Sequence, residues 1–387
     1  MACDLTVLLT FARDEGASDL HISPGLPPIV RLRGAMTRLE MALLTPEQTH
    51  AAIYDILNDA QKKIFEEHRD LDFAFEIPGV SRFRANVFRQ QYGDAAVFRV
   101  VPTKIRTLEE LAMPKVLRDL AMKEKGLVLV TGPTGSGKST TLAAMVDYVN
   151  ENRRGHILTI EDPIEFVHPS KKCLVNQREV GPHTGSFSAA LRAALREDPD
   201  VILVGELRDL ETTALAITAA ETGHLVFATL HTSSASKTVD RIIDVFPAEQ
   251  QAQVRTMLSE SIEGVIAQTL LPSKDGKGRV AAMEVLIGVP ALRNLIRENK
   301  TAQILSVIQT GAQHGMQSLD QSLQDLVMRG ALAREEAVRR SANPRLFETA
   351  PGGPAGGAMS GAGGLSAAAR PAMPGAADAA RRPAFNR

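Results

Sequence analysis

The sequence predicts an α/β protein in two parts, an α+β unit built on an antiparallel sheet, followed by a parallel sheet covered by helices. Three observations predict it. Alternating apolar and polar runs between residues 71 and 101 have the period of half-buried strands joined by hairpins, with Gly79 and Gly93 in the gaps. From residue 126 onward, short continuous apolar runs alternate with helical stretches, the pattern of strands buried on both faces. The chain, at 387 residues, also exceeds the usual size of one hydrophobic core.

In order, an opening helix leads to a strand at PIVRLRG, 28–34. Thr45, Pro46 and Gln48 then supply an N-cap, a proline at N1 and a glutamine at N3 for a helix to about Leu57. Strands follow at LDFAFEI (71–77), RFRANVFRQ (82–90) and AAVFRVV (95–101), which closes the first domain at residues 1–101. Pro102 cannot continue a central strand and the polar TKIRTLEE leads away from it, so 102–113 is expected to be a linker. The second domain, 114–345, carries strands at GLVLVTG (126–132), HILTI (156–160), DVILVG (200–205) and HLVFATL (224–230). Pro247 then opens an amphipathic helix to about Leu270, with Val254, Met257, Leu258, Ser261, Ile262, Val265 and Ile266 at helical spacing, and more helices are expected to about Ser341. The remainder, 346–387, turns from Ala350 into Ala, Gly and Pro with few large apolar side chains and is expected to be disordered.

Composition excludes several classes. Lysine and arginine number 44 against 45 acids, so no global basic field attracts nucleic acid. With no tryptophan and 4% aromatics the chain also lacks the stacking platforms of a nucleic-acid translocase. Its two cysteines, Cys3 and Cys173, lack CxxC spacing, which excludes a disulfide framework and a four-cysteine zinc site and fits a reducing cytosol. No uncharged apolar stretch reaches the roughly 18 residues a spanning helix needs, and the N-terminus lacks the basic start of a signal peptide.

Gly132-Pro133-Thr134-Gly135-Ser136-Gly137-Lys138-Ser139-Thr140 matches G-x-x-x-x-G-K-[ST] between an apolar run and a helical stretch, the context a phosphate cradle requires. Glycines let successive N–H groups point at phosphate oxygens, and the helix N-terminus adds positive potential. Lys138 is expected to reach the β- and γ-phosphates of a nucleoside triphosphate, and Ser139 to ligate a bridging magnesium ion.

Hydrolysis needs one group to polarise water and one to serve the metal, both at C-terminal strand ends beside the cradle. Two segments qualify. TIEDPIEF ends a strand in Glu161, Asp162 and Glu165, and DVILVGELRD closes one with Gly205-Glu206, glycine standing where aspartate is common. Glu206 would then serve the metal through water, or alternatively pair with Arg208. His224 begins the next strand and His231 ends it, where an imidazole could sense or orient phosphate.

In that order, GPTGSGKSTT, TIEDPIEF, DPDVILVGELRD and ETGHLVFATLHT resemble the Walker A, Asp box, Walker B and His box of the secretion and type IV pilus ATPase family. The resemblance covers residues 1 to about 345. It implies a PAS-like N-terminal domain, a RecA-like P-loop ATPase core, ATP and Mg2+ as cofactors, and a cytoplasmic homohexamer peripheral to the inner membrane at the pilus base, with a platform protein and an accessory retraction ATPase as partners. By motif position it makes Glu165 the general base, Glu206 the Walker B acid, and His224 and His231 the His box. It also implies that arginines of the N-terminal domain, Arg82, Arg84 or Arg99, complete the ATP site. PALRNLIREN (290–299) is similar to the AIRNLIRE signature of the retraction branch, which makes Leu292, Arg293, Leu295 and Ile296 a coupling helix, although packing alone would explain their spacing. Pilus-assembly and type II secretion ATPases usually add an N-terminal domain and a four-cysteine insertion, and this chain has neither. An accessory, non-catalytic relative would not need Lys138, Glu165 and Glu206 intact.

Overall fold

In the computed structural model the described residues are 4–32, 34–101, 104–276 and 278–347. The chain runs α1 (Leu5–Asp14), β1 (Asp19–Ile22), β2 (Ile29–Leu32), β3 (Ala35–Arg38), α2 (Pro46–Ile56), α3 (Asp59–His68), β4 (Asp70–Ile77), β5 (Ser81–Gln90) and β6 (Gly93–Val101). These six strands form one antiparallel sheet in the order β3-β2-β1-β6-β5-β4. Leu5, Leu8, Leu9 and Ala12 recur at the spacing of one helical face and bury against the sheet, as do Ile53 of α2 and Phe65 of α3. The Thr45–Gln48 capping box starts α2 as expected, both of its reciprocal hydrogen bonds being present.

One face of this sheet is apolar, with Leu20, Val30, Phe83, Ala85, Val87 and Phe98 buried. Burying each phenylalanine contributes about 2 to 3 kcal/mol. The pleat puts alternate residues on the other face, and there register pairs Arg31 with Asp19, Asp19 with Arg99 and Arg99 with Arg84. A row of charge thus crosses β2, β1, β6 and β5 on the side opposite the apolar core.

The second part contains α4 (Val116–Ala121), β7 (Gly126–Thr131), α5 (Lys138–Asn152), β8 (His156–Glu161), β9 (Leu174–Glu179), α6 (Phe187–Ala194), β10 (Val201–Val204), α7 (Leu210–Glu221), β11 (Leu225–Leu230), α8 (Ala235–Asp244), α9 (Ala248–Ser261), β12 (Ile262–Pro272) and β13 (Arg279–Ile287). Its sheet has the order β13-β12-β7-β11-β10-β8-β9, parallel except for β13. All six residues of β7 and of β11 are buried, which is why both read as continuous apolar runs. Chain order reverses around β7, with β8 on one side and β12 on the other, and such a switch point opens a crevice at the carboxyl ends of the strands. The chain ends in α10 (Pro290–Arg297), α11 (Ile304–Thr310), α12 (Leu319–Met328), α13 (Arg334–Arg340) and a 3-10 turn at Pro344–Phe347.

Three expectations are corrected. The helix expected from Pro247 to Leu270 stops at Ser261, and Ile262, Val265 and Ile266 belong to β12. Their spacing fits a helical face, but a strand buried on both faces gives the same short apolar run. Pairing with β7 holds the segment as a strand, and Gly264 fits there because an added Cβ would come within 2.8 Å of a Leu120 side-chain carbon. Residues 279–287, expected to be helical, form β13 against it. The ordered chain also continues past residue 345, because Phe347 buries against Leu271, Leu323 and Leu332. The expected disordered tail from Glu348 onward lies outside the described residues, as do Pro102 and Thr103 at the head of the expected linker. The rest of that linker is packed: Thr107 and Glu110 exchange hydrogen bonds of 2.9 and 3.1 Å, and Leu108 is buried in the core of the second part.

Candidate functional site

The loop Gly132–Gly137 joins the end of β7 to the first turn of α5, so a helix N-terminus opens onto the crevice. Gly132, Gly135 and Gly137 have φ of 142°, 78° and 88°, a region that side-chain-bearing residues rarely adopt. Lys138 Nζ donates to the carbonyls of Gly132 and Pro133 at 2.9 and 3.2 Å, spanning the loop it anchors. Burial pushes its pKa down and the Glu206 carboxylate opposes that shift. Ser136 is 2% exposed and its buried hydroxyl has no partner. A cation, an orphaned hydroxyl and glycine backbone at a helix N-terminus fit the oxygens of a polyphosphate.

Above the loop a cleft of about 660 Å³ is lined by Arg84, Arg99, Lys138, Glu165, Glu206 and His231, among others. The acids at the end of β8 are not equivalent. Glu161 is partly buried, and desolvation pushes its pKa up against hydrogen bonds from Thr159, Gln177 and the Glu165 backbone. Glu165 is open, its side chain 48% exposed and 3.6 Å from Arg84. Both line the cleft, and Glu165 is the one whose carboxylate is open rather than held by side-chain hydrogen bonds.

Glu206 follows β10. Its two oxygens meet Arg208 Nε at 2.9 Å and His231 Nε2 at 3.2 Å, so the expected pairing with Arg208 and a place in the site hold together. Arg208 also reaches Asp162 at 3.8 Å. His224 is not brought to this cluster. It precedes β11 and sits against the Ala219 carbonyl at 3.0 Å, whereas His231 follows that strand. At about 3.3 Å per residue the two histidines stand roughly 23 Å apart, at opposite ends of a parallel sheet whose phosphate loop occupies only one.

The three arginines divide as well. Arg84 faces Glu165, and Arg99 lines the cleft while its Nε lies 2.9 Å from Asp19. Arg82 instead reaches Glu179 at the end of β9, at 2.7 Å. The same Glu179 oxygen accepts the Ile164 N–H at 3.1 Å, which ties the N-terminal sheet to the loop bearing Glu165. In α10, Leu292 and Ile296 are fully buried, Leu295 is partly buried, and Arg293 holds Glu263 at 2.8 Å and the Ser259 carbonyl at 2.9 Å. Packing therefore accounts fully for two of its three apolar side chains and in part for the third.

Sequence reasoning missed Glu179, Gln177 and Gln268, which come from strands it did not assign. It also passed over His168, which lines the same cleft. Burial depresses the pKa of His168 to about 4, against Asp147, which raises it. A histidine takes up its proton near pH 6.5 when unfolded. Between pH 6.5 and about 4 the unfolded chain therefore binds the extra proton, and stability is lost as pH falls through that window. The loss approaches about 3 kcal/mol by pH 4. His168→Gln is expected to flatten the decline, as measured by urea unfolding at pH 7 and pH 4.5; an equal decline in both proteins would refute the assignment.

Among the described residues no helix is long and apolar enough to cross a membrane, and no group of three or more His, Cys, Asp or Glu could hold a metal ion. Residues 3–339 match the family described as Type II/IV secretion system protein. The chain is 61% identical over 344 residues to the type IV pilus retractation ATPase PilT of Pseudomonas aeruginosa, an alignment covering 89% of this chain and 100% of that protein. It is 58% identical over 316 residues to a twitching motility protein of Neisseria gonorrhoeae, covering 82% and 84%. The crystal structure of the pilus retraction motor PilT with bound ADP superposes with a TM-score of 0.83 at 49% identity, covering 89% of this chain and 99% of that one.

Proposed function

The chain belongs to the Type II/IV secretion system protein family, and from that premise we infer an ATP-hydrolysing motor of type IV pilus retraction. Its fold is α/β, an α+β N-terminal part followed by a P-loop ATPase core, and its reaction is ATP hydrolysis. The observation that carries this reading is one cleft holding the phosphate loop, Glu165, Glu206, Arg84 and Arg99 together. Domain limits of 1–101 and 114–345, joined by 102–113, are supported by one apolar core drawn from residues up to Val100 and others drawn from Leu108 onward.

Lys138 and the loop N–H groups would hold the β- and γ-phosphates, and the Ser139 hydroxyl would hold magnesium, a hard cation that takes oxygen ligands. Bound there, the metal neutralises charge on the transferring phosphoryl group. Glu206, held by Arg208 and His231, would serve the metal through water, and Glu165 would accept the proton of the attacking water. Arg84 and Arg99 would offset the charge that spreads in the transition state, and Arg82 would keep the Glu165 loop in register with the N-terminal sheet.

The motor is proposed to act as a cytoplasmic homohexamer at the inner-membrane face of the pilus base, against a platform protein and beside an accessory retraction ATPase. ATP binding would draw an N-terminal domain onto a neighbouring core, and hydrolysis would release it. Magnesium-dependent ATP turnover by the purified chain, with its mass in solution recorded in the same buffer, tests this. Turnover at about six chain masses supports it, and an ATP-binding but inactive protein would favour an accessory role. Leu295→Ala is expected to leave turnover within about twofold while abolishing pilus retraction in a complementation assay, because its neighbours Leu292 and Ile296 already supply the buried anchor. Parallel loss of both activities would assign α10 to packing alone.

A further inference from the structure

We propose that Gln268 is a positioning residue of the phosphate site, its side-chain amide setting the Ser136–Gly137 peptide so that the Gly137 N–H is presented to phosphate; this rests on the nucleotide reading above. β12 pairs with β7 up to Ala267 opposite Thr131, which places Gln268 beside the start of the loop. The residue is 4% exposed. Its Nε2 donates to the Ser136 carbonyl at 2.5 Å, and its Oε1 accepts from Thr141 Oγ1 at 2.7 Å, one turn into α5.

The two contacts fix which way the amide faces, because a flipped amide would set Oε1 against the Ser136 oxygen. In a planar trans peptide the C=O and N–H point in opposite directions. Holding the Ser136 carbonyl toward β12 therefore turns the Gly137 N–H away from β12, to the side where Gly135, Gly137 and Lys138 line the cleft. Gly137 also has to be glycine for this approach, since a Cβ there would stand 2.7 Å from Nε2 and 3.3 Å from Leu270 Cδ1. Without the amide the buried carbonyl loses the side-chain donor that holds it toward β12.

An N–H directed at a phosphate present in both substrate and transition state contributes uniform binding, so its loss raises KM and leaves kcat largely unchanged. In the assembled full-length protein, Gln268→Met is expected to raise KM for MgATP and Kd for ADP about tenfold or more, with kcat within about threefold. Gln268→Glu supplies a readout that packing would not move. As a carboxylate it has no donor for Ser136; once protonated it regains an O–H of nearly the same shape. Its KM excess over wild type is expected to be large at pH 8 and to shrink as pH is lowered toward 5.5, while that of Gln268→Met does not shrink. Unchanged KM in folded variants, a pH-independent excess in Gln268→Glu, or failure of both variants to assemble would overturn the proposal. Failure of the nucleotide reading is separate, and would show as a wild-type chain that binds neither ADP nor ATP.

Discussion

Replacing Lys138 with alanine is expected to abolish nucleotide-dependent activity, with ATP affinity falling more than about 100-fold. The ammonium lies among the loop carbonyls of Gly132 and Pro133, where it is one of the few cations able to meet the phosphates directly. A charge-assisted hydrogen bond contributes about 1.5 to 3 kcal/mol, and two such bonds to phosphate oxygens account for a loss of that size. Removing the side chain should not unfold the site. Alanine is the best helix former, so the first position of α5 is not weakened, and the loop glycines keep their conformation. The charge balance of the cleft does change, because Glu206 interacts with Lys138 and would keep only Arg208 and His231 as partners. Equilibrium binding of a fluorescent ATP analogue, with far-UV circular dichroism as the folding control, measures this. Affinity within a few-fold of wild type would mean that the backbone N–H groups alone hold the phosphates.

The parts of this site legible in the sequence are those whose chemistry is local in the chain. A phosphate loop is six residues between a strand and a helix, and both its conformation and its cation are written in consecutive positions. The acids after β8 and β10 were legible for a similar reason, since carboxyl ends of parallel strands meet on one edge whatever their order. Residues that act across register were not legible. Glu179 matters because β9 pairs with β8 and brings it under Ile164 and Arg82, and no periodicity in LVNQRE announces that. Gln268 was hidden by a wrong element, since the helix expected through residue 270 would have turned its amide to solvent or into a helical core. His224 shows the opposite error. Its place in a motif with His231 suggested a shared task, but the six residues of β11 separate them.

Glu165→Gln is expected to bind ATP with near-wild-type affinity and to turn it over about 10² to 10⁴ times more slowly, the range a positioned general base contributes. The substitution keeps size and removes only the ability to take a proton. Its structural cost is small, because the ion pair with Arg84 is 3.6 Å long between side chains 38% and 48% exposed, and such pairs contribute at most about 1 kcal/mol. Glu161→Gln is the informative comparison, because Glu161 is closer to the β8 strand end yet already accepts hydrogen bonds from Thr159 and Gln177 in a partly buried site. An amide there keeps one acceptor oxygen but must point its NH2 group at donors, so it should lower stability more than chemistry. Single-turnover hydrolysis and thermal melting of both variants separate the two roles. Slow hydrolysis with an unchanged melting temperature in Glu165→Gln, beside a lowered melting temperature in Glu161→Gln, assigns the base to Glu165. Normal turnover in Glu165→Gln together with loss of hydrolysis in Glu161→Gln would move the base to the strand end, where burial already favours a carboxyl group that holds a proton.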